Sequence, residues 1–298
     1  MARLGYALTA MVTPFADDLS VDHKRAAELA EYLVAHKSDG LVVAGTTGES
    51  PTLSAEEKLG LFRTVRDAVG PDIVVIGGTG SNDTRSSIEL TRAASELGIL
   101  DGVMLVGPYY NKPSQEGLYQ HFRACSQATD LPVVLYNVPG RTGKNIETDT
   151  VLRLARDLPN VVGLKEASGD MTQISRICAG KPESLDVYSG EDAVTLPMLS
   201  VGCVGVISVV SHLVGPDMAD MIHAFHAKDT RRAWHLHYKL LDMFEACFLS
   251  SGNPACVKYG LEVCGFPVGP SRLPVVPASE KDRAQIRQVC EALGIAGT

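Results

Sequence analysis

Short apolar runs alternate with longer segments in which apolar residues recur every three to four positions, from the start of the chain to about residue 226. A compact run of Val, Ile, Leu and Ala bounded by turn residues reads as a buried strand, whereas a 3.6-residue period marks the buried face of a helix. On that basis strands are expected at residues 6–13, 40–45, 73–79, 102–107, 132–137, 161–167, 186–189 and 205–210. Helices are expected at 22–36, 54–69, 83–97, 114–128, 148–157, from 171 onward, 193–201 and 216–226. Ser54 with Glu57 three residues later forms a capping box, and Gly70-Pro71 stops the helix that it opens. Beyond residue 229 the pattern is helical only, at 230–248, 253–264 and 279–293, with a Pro/Gly-rich connection over 265–277.

Eight strand–helix units in sequence imply right-handed βαβ crossovers and a parallel sheet. Their number and size predict an α/β fold, a (β/α)₈ TIM barrel whose site lies at the C-terminal ends of the strands. An open doubly wound sheet is the alternative. Its phosphate-binding turn is not found, because Gly77-Gly78-Thr79-Gly80 runs on into Ser81-Asn82-Asp83 and does not complete GxGxxG. The expected organisation is a catalytic barrel over 1–226 and a C-terminal three-helix appendage over 227–298.

The chain has 298 residues, which suits one barrel with a small addition better than two equal domains. A net charge of −8 without any Lys/Arg run argues against nucleic acid and anionic membrane surfaces as partners. An anionic substrate therefore needs a local cation. No stretch of about 18 uncharged apolar residues predicts a membrane span. The opening stretch, Met1-Ala2-Arg3-Leu4-Gly5-Tyr6, does not lead into a signal-peptide core. Seven cysteines, an odd number without a CxxC pair, point to reduced thiols rather than disulfides or a zinc site. Together these predict a cytoplasmic protein. The eight histidines are scattered without ligand spacing at a strand end, so no metal site is read.

Chemistry concentrates where strands end. In Val161-Val162-Gly163-Leu164-Lys165-Glu166-Ala167, alternation places Gly163, Lys165 and Ala167 on one face. A desolvated lysine loses proton affinity and becomes a nucleophile that can form a Schiff base with a carbonyl. The same lysine could instead reach solvent or pair with Glu166. Tyr136, at the end of the preceding strand, shares a face with Val134 and would point into the barrel mouth near Lys165, where a phenol can relay protons. It could equally be a rim tyrosine with a wet hydroxyl. Gly45-Thr46-Thr47-Gly48-Glu49-Ser50 offers hydroxyls and backbone N–H groups suited to a carboxylate, or is simply a turn. Arg141 follows in a Gly/Thr loop, where its planar fork suits a carboxylate or merely solvent.

These strings, together with Pro108-Tyr109-Tyr110-Asn111-Lys112-Pro113, Ser189-Gly190-Glu191-Asp192, Gly205-Val206-Ile207-Ser208-Val209 and Asn253-Pro254-Ala255-Cys256-Val257-Lys258, resemble the motifs of the 4-hydroxy-tetrahydrodipicolinate synthases, formerly dihydrodipicolinate synthases. These are pyruvate-dependent class I aldolases, and the resemblance covers nearly the whole chain. It implies a lyase of lysine and diaminopimelate biosynthesis, without a cofactor, whose partners are pyruvate and L-aspartate 4-semialdehyde. It implies that pyruvate condenses with Lys165. Thr47, Tyr136 and Tyr110 would form a proton relay, with Tyr110 reaching across from a neighbouring subunit. Thr46 and Thr47 would grip the pyruvate carboxylate, Gly190 and Ile207 would line the pyruvate pocket, and Arg141 would bind the semialdehyde carboxylate. A homo-oligomer follows, a dimer at least and a tetramer of two such dimers. Inhibition by L-lysine is expected to be weak or absent. Ser50, Asn82 and Tyr109 match the family's inhibitor site, but Ala55 and Lys58 stand where histidines are found and Ser86 where a glutamate is found. Two other readings compete. A sister aldolase, such as N-acetylneuraminate lyase or a 2-keto-3-deoxy-sugar-acid aldolase, would usually lack the arginine at 141. A catalytically dead barrel serving as a scaffold would not be trapped by borohydride with pyruvate.

Overall fold

In the computed structural model, which describes residues 4–297, eight parallel strands close into a barrel in the order of the chain. Met1–Arg3, part of the opening stretch, lie outside the described residues. The strands are β1 (Ala7–Ala10), β2 (Gly40–Val43), β3 (Val74–Gly78), β4 (Gly102–Val106), β5 (Val133–Asn137), β6 (Val161–Glu166), β7 (Asp186–Ser189) and β8 (Gly205–Ser208). The helices between them are α1 (His23–Ala35), α2 (Ala55–Val69), α3 (Thr84–Glu96), α4 (Gln115–Ser126), the short α5 (Pro139–Thr142), α6 (Thr148–Asp157), α7 (Met171–Gly180) and α8 (Thr195–Ser200). After β8 come α9 (Ser211–His226), α10 (Thr230–Ala246), α11 (Ala255–Val263) and α12 (Glu280–Ala292). The open doubly wound alternative is set aside, because β1 pairs with β8 as well as β2.

Strand alternation sorts the apolar residues into two layers. Leu8, Val42, Ile76, Met104, Val134, Tyr136, Tyr188 and Ile207 fill the barrel interior. Leu41, Val75, Val103, Val133, Leu135, Leu164 and Val187 face outward and pack under the helices in a second, larger cluster. The same outer cluster takes in Leu240, Phe244, Val257, Leu261 and Ile286, so α10 to α12 share the core of the barrel shell. Residues 227–229, where the sequence divides, form only the short turn between α9 and α10.

Local chemistry accounts for most element ends. The Ser54–Glu57 capping box is present, with Glu57 N–H donating to Ser54 Oγ at 3.2 Å and Ser54 N–H donating to Glu57 Oε2 at 2.8 Å. Elsewhere the boundaries move. The strand expected at 6–13 is only Ala7–Ala10, because the barrel contacts of the chain end where it turns toward the appendage and Phe15 N–H donates to Val268 O. The helix expected from 216 begins at Ser211 and kinks at Val214, two residues before Pro216, whose ring cannot continue a straight helix. The helix expected at 193–201 divides into a 3₁₀ turn, Asp192–Val194, and α8. Helix α5 was not expected, since four residues are too few to show a period. Pro139 opens it with a preset φ, and Gly143, at φ +72°, closes it.

Candidate active site

Lys165 sits at the C-terminal end of β6, where register pairs it with Tyr136 on β5 and Tyr188 on β7. It is buried, and its ammonium lies 4.6 Å from the centre of the Tyr136 ring. Burial lowers its proton affinity most, the nearby Arg141 lowers it further, and Asp192 opposes them; the pKa is pulled down to about 8. A readily formed neutral amine in an enclosed site is the form that attacks a carbonyl.

Glu166 does not pair with this lysine. It points to the other face of β6, where Asn137 Nδ2 donates to both its oxygens at 3.0 Å and Ser168 N–H donates to Oε1 at 2.7 Å. Of the two small neighbours of Lys165, only Ala167 opens on the cavity beside it. The space over Gly163 is filled by Val134, whose Cγ2 would lie 3.0 Å from a Cβ there. Room for the lysine stem comes instead from Gly190, where a Cβ would stand 3.0 Å from Lys165 Cγ and 2.8 Å from Ala167 Cβ.

The cavity around Lys165 measures about 210 Å³, enough for a molecule of a few heavy atoms and their water. Thr46, Thr47, Tyr136, Arg141, Gly190 and Val209 line it. Ile207 is buried one layer down in the barrel interior, and Val209, two residues on, reaches the cavity wall. A second cavity of about 240 Å³ adjoins the first across Thr46, Tyr136, Val138 and Arg141 and extends to Tyr109. Tyr136 is buried, which raises its pKa and keeps the phenol protonated; its hydroxyl is beside Thr46 rather than Thr47. Thr47 Oγ1 accepts instead from Asn253 Nδ2 at 2.8 Å. Arg141 is carried by α5 and makes no ion pair among the described residues, leaving its guanidinium free to take an anion. Tyr110 is not brought into this cavity. It is 89% exposed, and its backbone is held at φ +74° with its N–H donating to Thr142 O at 3.2 Å.

Two contributors escaped sequence reasoning. Asn253 belongs to the appendage and meets Thr47 across 206 residues, a distance that no local pattern reveals. Asp192 is fully buried beside the site, and its only sequence signal was membership of the Ser189-Gly190-Glu191-Asp192 string. Among the described residues, no group of three or more His, Cys, Asp or Glu side chains is arranged to hold a metal ion.

A closed parallel barrel with an enclosed lysine of lowered proton affinity at its mouth defines the class of (β/α)₈ lyases of the class I aldolase type. Within that class the chain belongs to the dihydrodipicolinate synthetase family, whose model matches residues 3–293. It is 55% identical over 295 residues to a 4-hydroxy-tetrahydrodipicolinate synthase of Symbiobacterium thermophilum, covering 99% of this chain and 100% of the relative. The Bacillus subtilis 4-hydroxy-tetrahydrodipicolinate synthase is 51% identical over 291 residues, covering 98% and 100%. Among solved structures, the dihydrodipicolinate synthase of Cyanidioschyzon merolae with lysine bound superposes with a TM-score of 0.95 at 45% identity, covering 98% of this chain and 99% of that one.

Proposed function

We propose that the chain condenses pyruvate with L-aspartate 4-semialdehyde to give 4-hydroxy-tetrahydrodipicolinate, the step that feeds lysine and diaminopimelate biosynthesis. The observation that carries this reading is Lys165, buried and poised near neutrality in a cavity shared with Thr46, Thr47, Tyr136 and Arg141. The neutral amine adds to C2 of pyruvate, and the carbinolamine loses its oxygen as water to leave an iminium. Loss of a C3 proton gives the enamine, whose C3 attacks the aldehyde carbon of the second substrate. The amino group of that substrate then displaces Lys165 from C2, closing the ring and freeing the lysine. One water leaves in the whole sequence.

In this reading the Thr46–Thr47 turn holds the pyruvate carboxylate through hydroxyls and backbone N–H groups, and Gly190 gives close approach. Tyr136, kept protonated and with the Thr46 hydroxyl rather than that of Thr47 beside it, passes protons to and from the carbinolamine oxygen. Arg141 takes the semialdehyde carboxylate, and this residue favours the present substrates over those of the sister aldolases. Tyr110 completes the relay from a neighbouring subunit. Its exposure in the single chain supports that role, as does the exposed apolar row of Trp234, Tyr238 and Leu241 on α10 for further assembly into a tetramer. No helix of the described residues is long and apolar enough to cross a membrane, and a cytoplasmic location is part of this proposal. A coupled assay with pyruvate and the semialdehyde, run beside N-acetylneuraminate cleavage, tests the assignment. Turnover of the first pair alone is expected, and cleavage of the sugar acid alone would overturn it.

A further inference from the structure

Lys165 is buried and gains a positive charge when it becomes an iminium, yet among the described residues it makes no direct ion pair. The chain that crosses over it comes from β7. Gly190 N–H donates to Glu166 O at 2.8 Å, which pins the crossing to the end of β6, and the missing Cβ of Gly190 would stand 3.0 Å from Lys165 Cγ. Two residues further on, the side chain of Asp192 turns inward and is buried. Its Oδ2 accepts from Val209 N–H at 3.0 Å and from Val210 N–H at 3.1 Å, and Ser208 Oγ donates to Oδ1. Ser208 Oγ in turn accepts from Ser211 N–H at 3.0 Å. Three donors, two of them backbone N–H groups, thus converge on the carboxylate and suit its ionised form against the cost of burial.

We propose that Asp192 is the buried counter-charge of Lys165, a positioning residue that ties the ends of β7 and β8 together and stabilises the cationic iminium over the free amine. This rests on the reading of Lys165 as the Schiff-base residue. The remaining groups around the pair do not supply the negative charge. Arg141 is a cation and Tyr136 a neutral phenol; Glu191 is exposed at the cavity rim; Glu166 faces away and is occupied by Asn137, Ser168 and Gln173. Burial first, and the charge of Asp192 after it, keep the Cys247 thiol protonated. Lys165 and Asp192 act on each other electrostatically in the direction that this pairing requires: the carboxylate raises the lysine and the lysine lowers the carboxylate.

The consequences differ from those of a merely structural residue. Asp192→Asn keeps the hydrogen-bond frame, since its Oδ1 can accept both backbone N–H groups and its Nδ2 can donate to Ser208 Oγ. It removes only the charge. The acid limb of kcat/KM for pyruvate, set by the lysine near about 8, then moves to lower pH by about one unit. The iminium is disfavoured, so KM for pyruvate rises roughly tenfold, while kcat falls less, because forming the neutral enamine relieves the same charge.

The experiment measures the pH profile of kcat/KM for pyruvate in wild type and Asp192→Asn, with borohydride trapping of labelled pyruvate in both. A lowered limb with the rise in KM supports the inference. Reduced activity with the limb unmoved overturns it. Failure of wild type to trap pyruvate overturns the Schiff-base reading itself, which keeps the two apart. Should Asp192→Asn not fold, Lys165→Met decides. Burial raises the carboxylate's folded pKa above its unfolded value, so its stabilising contribution is lost as pH rises through the folded value. Deleting the lysine raises that value further. The melting-temperature deficit of Lys165→Met against wild type is therefore expected to grow as pH rises from the ordinary carboxylate range toward neutrality. A deficit that stays flat across that range overturns the pairing.

Discussion

Lys165 owes its chemistry to its surroundings rather than to its type. Burial and the nearby Arg141 cation outweigh the pull of Asp192, and the amine is half neutral near about pH 8. Trapping of pyruvate is therefore expected to rise with pH up to that region and then level off; a profile flat from pH 6 to pH 9 would contradict it. Lys165→Arg should trap no pyruvate at any of these pH values, because a guanidinium keeps its proton. Arg141 is exposed in the single chain, so its grip on a carboxylate belongs at the low end for a charge pair, roughly 2 kcal/mol. Arg141→Ala should leave trapping intact and lower kcat/KM for the semialdehyde by about thirtyfold. Unchanged kinetics with the semialdehyde would sink the assignment. Both residues were legible in the sequence, one as a charge inside an apolar strand and the other as an arginine in a glycine-flanked loop at a strand end. Tyr136 was legible by alternation. That its hydroxyl faces Thr46 while Thr47 turns to Asn253 was not, since the choice between adjacent threonines depends on the backbone of the turn.

At the scale of elements, the turn that carries Thr46 and Thr47 is held from outside the barrel. Glu49 sits in the left-handed region at φ 57°, and its carboxylate meets Lys258 of α11 at 2.6 Å, with the two side chains 2% and 5% exposed. Arg272 N–H donates to the other oxygen of Glu49 at 2.9 Å, and the Arg272 guanidinium pairs with Glu57 of α2. Asn253 reaches Thr47 from the residue pair just before α11. The appendage is thus part of the site. Removing one partner of a buried pair strands the other charge, so Lys258→Met should cost about 3 kcal/mol of stability, read by denaturant unfolding. Replacing both, as Glu49→Gln with Lys258→Met, should recover part of that loss; equal or greater destabilisation in the double variant would show that the pair is not a unit. The strand order, the barrel closure and the helical tail could all be read from periodicity. The contacts of Glu49, Asn253 and Asp192 could not, because each joins segments far apart in sequence through a side chain that has no periodic signature. The division of α8 from its preceding 3₁₀ turn likewise has no periodic signature, whereas the kink in α9 falls where Pro216 interrupts the helix.

For the whole molecule, more than one chain is expected to build each working site. Tyr110→Phe and Lys165→Ala should each be inactive alone and recover part of the activity when refolded together, because a mixed dimer holds one intact site. Mixed dimers without activity would count against a shared relay. The weak inhibition by L-lysine expected from the sequence rests on Lys58 and Ser86. Lys58 on α2 is buried without an ion-pair partner among the described residues, burial lowers its proton affinity, and Ser86 on α3 spends its hydroxyl on Asp83. A cationic amino acid finds no added carboxylate there. L-lysine should therefore inhibit weakly or not at all. Strong inhibition well below millimolar lysine, at sub-saturating pyruvate, would show that these substitutions do not act as argued.

Covalent attachment of pyruvate to Lys165 can be caught by reduction. Wild-type protein incubated with labelled pyruvate and then borohydride should carry one label per chain as a secondary amine on the peptide containing Lys165, and Lys165→Ala should carry none. Label on another lysine, or full turnover in Lys165→Ala, would contradict the account.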